Sequence, residues 1–135
     1  MSASISAALA GLGSALVFLE RLEQARGALM EALTLYRDAG DERGETVVLL
    51  SLSAAESIAG APESSLAWAE QALRIYERLD DTLGIARTLH RTAEALRDLG
   101  DFERSAELYT RSIETRRANR LGTPAHRPVP PLRFR

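Results

Sequence analysis

The 135-residue sequence has no cysteine and no lysine, and aromatic residues make up only 5% of it. Without cysteine there are no disulfides, thiolate metal sites or cysteine nucleophiles, and a reducing compartment such as the cytoplasm is the expected location. Few aromatics beside 45% hydrophobic residues mean a core of small and medium aliphatic side chains, which suits closely approaching helices better than sheets. The opening stretch MSASISAALAGLGSALVFLE lacks a basic flank, and its Ala-, Ser- and Gly-rich run stops at Glu20. It therefore reads as neither a signal peptide nor a membrane span.

Chemical motifs are equally scarce. GLGSAL (11–16) has Leu16 where a dinucleotide-binding loop needs its third glycine, and no strand signal precedes it. No G-x-S-x-G elbow occurs, and the two histidines, His90 and His126, have no H-x-x-x-H partner. We expect no catalytic group, no cofactor and no metal. All 17 basic residues are arginine, and they are unevenly placed. Residues 1–110 hold 10 Arg against 18 Asp and Glu, whereas 111–135 hold 7 Arg against Glu114 alone. The body is acidic and the tail basic.

What the chain does contain is repetition. Shifted by 40 residues it aligns with itself: Leu9, Leu49 and Leu89; Leu12, Leu52 and Thr92; the small column Gly13, Ser53 and Ala93; then Ala32, Ala72 and Ser112, and Leu33, Leu73 and Ile113. Each unit holds two helical runs. Asp41, Asp81 and Asp101 are expected N-caps, and Pro62 sits where a first helical turn tolerates it. Trp68, in a column with Ala28 and Leu108, is read as packing between units. The expectation is an all-α fold of six helices in three helix-turn-helix units over residues 1–119 (about 6–40, 41–80 and 81–119). Residues 120–135, with TPAHRPVPPL, are expected to form an extended or disordered basic tail.

LAGLGSAL (9–16) with Ala25, Leu29 and Ala32 in unit one, and Leu89, Ala93, Leu96, Gly100, Tyr109 and Ser112 in unit three, make the chain resemble tetratricopeptide repeats (TPR). The resemblance implies a short right-handed solenoid with a groove that binds proteins or peptides, without catalysis. The family's usual period is about 34. The longer spacing here resembles the repeats in C-terminal sensor regions of large bacterial transcriptional regulators.

Two candidate surfaces follow. On the first helix of unit three, Arg87, His90, Arg91, Glu94 and Arg97 lie opposite the apolar side, which by the resemblance lines the groove. Arg87 and Arg91, four apart, suit an acidic peptide and are similar to the basic half of a carboxylate clamp. The other reading is a solvated helix face with arginine paired to Glu94. The second surface is the uncharged first helix, where Leu9, Leu12, Leu16 and Phe18 form a candidate self-association face. A terminal repeat normally shows water a polar side, so a homodimer, or docking to an upstream domain, is expected through this helix. A nucleic-acid-associated regulator using the Arg-rich tail is the alternative; the acidic body and scarce aromatics argue against it.

Overall fold

The computed structural model of the chain describes residues 2–122, and of residues 2–4 the backbone alone. Six α-helices follow one another: α1 (Ser2–Phe18), α2 (Leu22–Ala39), α3 (Glu42–Ile58), α4 (Pro62–Arg78), α5 (Thr82–Asp98) and α6 (Phe102–Arg120). No strand occurs among the described residues. The tail expected from residue 120 lies, from 123 onward, outside the described residues.

A left-handed residue recurs every twenty positions and sets the helix ends. Glu20, Gly40, Gly60, Asp80 and Gly100 have φ of 57°, 70°, 78°, 53° and 85°. Each turns the chain so that a following N–H reaches back to a carbonyl left open by the helix end, as Asp81 N–H does to Tyr76 O at 3.0 Å. The next helix then starts on a cap: the carboxylates of Asp41 and Asp81 accept from the N–H groups of Gly44 and Gly84 at 3.0 and 2.9 Å. Asp101 does the same for Arg104 N–H at 3.4 Å. Glu20 and Asp80 hold this conformation without glycine's freedom. Asp80→Gly is therefore expected to raise stability by about 0.5–1 kcal/mol in urea denaturation.

Helices pair as α1–α2, α3–α4 and α5–α6, and the hairpins stack through α2 on α3 and α4 on α5. The small column lies within the hairpins, where Gly13, Ser53 and Ala93 let the paired helices approach. A side chain at Gly13 would overlap Leu29. The Ser53 hydroxyl donates to the Ser65 carbonyl at 2.9 Å, and that of Ser105 donates to the Ala93 carbonyl at 2.7 Å. Buried hydroxyls are thereby satisfied across the α3–α4 and α5–α6 crossings.

Between hairpins the recurrent contact is a tyrosine on a glycine. Tyr36 lies over Gly44 and Tyr76 over Gly84, so closely that a Cβ on either glycine would overlap the ring. Ion pairs flank the first junction: Arg26 with Glu56 at 2.6 Å and Arg37 with Glu45 at 3.0 Å. At the second junction the counterparts of Arg26 and Glu56 are Leu66 and Leu96, which share an apolar cluster with Leu73, Leu89 and Ala93. Trp68 is half-buried against the core of the first two units. On α6 the tyrosine position is Arg116, which is exposed, and Ile113, the counterpart of buried Leu33 and Leu73, is exposed too.

Candidate functional site: a groove between the first helices

α1, α3 and α5, the first helices of their hairpins, stand side by side, and their C-terminal halves enclose a groove of about 560 Å³. Its apolar lining comes from Val17 and Phe18 of α1 and from Leu50, Ala54 and Ile58 of α3. Phe18 and Ile58 occupy the same position in successive units, and they are 89% and 46% exposed. Hydroxyls from Ser14, Ser51 and Ser57 complete the middle, with the Ser14 and Ser51 oxygens 3.0 Å apart. Charge enters at the edges through Glu20, Arg91 and Glu94.

The structure divides the residues singled out on α5. Arg91 and Glu94 line the groove, but they are occupied with each other: Arg91 Nη1 is 3.4 Å from Glu94 Oε1, and His90 Nε2 is 3.7 Å from the same oxygen. His90 and Arg97 turn instead toward α6. The His90 ring meets Tyr109 edge-on, with centroids 5.3 Å apart, and Arg97 Nη1 donates to the Tyr109 hydroxyl at 3.3 Å. Arg87 is exposed and is not among the groove residues. The expected row of five groove side chains is thus reduced to two, because α5 gives most of its polar side to the end of the stack.

The four residues of the candidate self-association face also separate. Leu16 is buried in the core, and Leu9 is half-buried against it. Phe18 belongs to the groove, which leaves Leu12 as the only one of the four on the outer face of α1. The sequence reading did not single out Leu50, Ala54 and Ile58 as groove residues. The signal was present in the spacing, since Phe18 and Ile58 are large apolar residues forty apart at a position whose third member is Asp98.

Among the described residues no group of three or more His, Asp or Glu side chains is placed to hold a metal ion, and no helix is long and apolar enough to cross a membrane. The family model of the tetratricopeptide repeat matches residues 4–78 and again 45–118, so the two matches together run through all three hairpins. The chain belongs to the tetratricopeptide repeat family. The crystal structure of the TPR domain of Arabidopsis FLU is similar to it, with a TM-score of 0.82 over 87% of this chain and 99% of that one. Identity between the two is 19%, so the likeness is one of fold. No curated protein matches the chain. TPR folds generally mediate protein–protein interactions and are typically non-catalytic scaffolds. The forty-residue period exceeds the usual TPR length of about 34 by roughly three residues per helix, or most of one turn.

Proposed function

We propose that the chain is a non-catalytic interaction module that holds a segment of a partner protein in the groove between α1, α3 and α5. The observation that carries this reading is the exposure of Phe18 and Ile58 in register along the groove. Neither contributes to the buried core, and each offers an apolar side chain a place to dock.

The lining chemistry favours a partner segment different from the acidic one expected from Arg87 and Arg91. Two carboxylates and one guanidinium border the groove, and the guanidinium already has a carboxylate beside it. An incoming carboxylate would have to displace Glu94 to reach Arg91. An apolar segment anchored on Phe18 and Ile58, its backbone polar groups served by Ser14, Ser51 and Ser57, meets no such competition.

Isothermal titration of the full chain with immobilised-peptide hits tests this. Phe18→Asp and Ile58→Asp are each expected to weaken a groove ligand by about 2 kcal/mol through lost apolar burial. Arg87→Glu should leave affinity unchanged. If Arg87→Glu combined with Arg91→Glu instead abolished binding while Phe18→Asp was neutral, the acidic-peptide reading would return.

The forty-residue period supports a finer assignment, a module within, or accessory to, a bacterial transcriptional regulator or signalling scaffold, and the cysteine-free sequence supports a cytoplasmic location for it. The nucleic-acid alternative rests on arginines of which several lie outside the described residues. The groove reading is preferred because the body is acidic, with 10 Arg against 18 Asp and Glu in residues 1–110, and aromatics for stacking are scarce.

A further inference from the structure

α1 carries an apolar stripe that its counterparts do not. Ile5, Leu12 and Leu19 are 54%, 51% and 61% exposed, and Ala8 and Ala15 between them are exposed as well. Alternating steps of three and four place the large residues at the a positions of a heptad and the alanines at the d positions. The Leu19 N–H still bonds the Ala15 carbonyl at 3.1 Å, so the stripe stays helical to its last member. No ionisable side chain occurs from residue 1 to residue 19.

On α3 and α5 the same face carries the preceding hairpin: Val48, Leu52 and Ala55, then Thr88, Thr92 and Ala95, are all buried. Those faces do not alternate large with small, and they include Glu45, Thr88 and Thr92. The tyrosine seat is also missing from α1. The counterpart of Gly44 and Gly84 is Ser4, a residue with the Cβ that the interior junctions exclude. At the other end of the stack, α6 brings Arg116 where α2 and α4 bring Tyr36 and Tyr76. Head-to-tail stacking of copies therefore lacks both halves of the interior junction.

We propose that the α1 stripe pairs with α1 of a second copy, antiparallel, about a two-fold axis passing midway between Ala8 and Leu12. In this register Ile5 faces the partner's Ala15 and Leu12 faces the partner's Ala8, so four layers of the seam each set one large side chain on an alanine and have the same width, with Leu19 beyond the end of the seam. Parallel pairing would set large on large and alanine on alanine, leaving alternate bulges and voids. Alanine at each d position lets the helix axes approach to the short end of the usual range, about 8 Å. The two-fold uses one patch twice and leaves no open end. This pairing goes beyond the groove reading and does not depend on it.

Sedimentation of the full chain tests the pairing, and a dimer at micromolar concentration is expected. Leu12→Glu should weaken association about 100-fold or more by placing a charge in the seam, with an unchanged helical spectrum. Ala15→Leu, at a position exposed in the protomer, should fold and also weaken association by thickening two layers. The cysteine-free sequence permits single reporters. Leu12→Cys in one copy should cross-link on oxidation to Ala8→Cys in another when the two variants are mixed. Ile5→Cys should not cross-link to itself, because the antiparallel arrangement separates its two copies by about 15 Å or more along the helix. Cross-linking of Ile5→Cys to itself would replace the antiparallel pair by a parallel one and overturn the proposal. So would a monomer at high micromolar concentration, or a dimer indifferent to Leu12→Glu, either of which gives the face to an upstream domain instead. Phe18→Asp should leave the dimer intact, so failure of the groove reading and failure of this one are told apart.

Discussion

Gly84→Ala is expected to lower the melting temperature by about 10 °C, corresponding to a loss of about 3 kcal/mol. A single methyl has this effect because of where it would go. The Cβ would enter the Tyr76 ring, and that ring is buried in the cluster formed by the first two units, with no solvent side into which to swing. The backbone of Gly84 is held as well, since its N–H is bound by the Asp81 cap. Either the ring leaves its rotamer or α5 retreats from α4, and both disturb the junction between units two and three. Gly11→Ala and Gly27→Ala serve as controls in the same thermal melts. Both sites have open space around the would-be Cβ, and helix propensity favours alanine there by about 0.5–1 kcal/mol. A double-mutant cycle with Tyr76→Leu should recover part of the loss, because the smaller side chain vacates the space. A neutral Gly84→Ala would show that the tyrosine does not lock the hairpins together.

The second large effect is a contrast between two leucines in one repeat column. Leu52 is buried between the first and second hairpins, whereas Leu12, forty residues earlier, is exposed on α1. Leu52→Ala should cost about 2–5 kcal/mol, the removed methyl groups plus the cavity left between α3 and the first hairpin. Leu12→Ala, measured by urea denaturation at a concentration too low for association, should change protomer stability by less than about 0.5 kcal/mol. Similar losses at both positions would mean that the outer face of α1 is covered within the protomer. The pair measures what a neighbouring hairpin contributes to an otherwise equivalent residue, with chemistry held constant.

How far the sequence discloses this molecule depends on the kind of contact. Helix number, helix ends and hairpin pairing are set by local chemistry, and the Asp caps, the left-handed turn residues and the small columns show directly in the forty-residue alignment. The groove was harder to read because a first helix in a stack is not two-sided. α5 touches α4, α6 and α3, so its buried arc is wide. Thr88 and Thr92, which look polar on paper, lie inside it with their hydroxyls donating to Gly84 O and Thr88 O at 2.8 Å each. Only a narrow strip is left to face the groove, and a division of α5 into one apolar and one polar side assigned that strip too many residues. On α1 the same simplification merged three surfaces: the core side with Leu16, the groove side with Phe18 and the outer side with Leu12.

The tyrosine-on-glycine contact is identical at the two junctions, and that sameness creates a hazard during folding. Nothing in the contact itself tells α2 to sit on α3 rather than on α5, since Tyr36 would find at Gly84 the same vacancy it finds at Gly44. The flanking charges remove the ambiguity. At its own junction Arg26 meets Glu56 and Arg37 meets Glu45, but in the mismatched pairing the facing residues would be Leu96 and Ile85. Arg26 and Arg37 would then lose their cross-junction carboxylates against an apolar surface, a penalty that correct assembly avoids. The shared lock makes the units joinable, and the unshared ion pairs number them, so that a chain built of near-copies assembles in only one order.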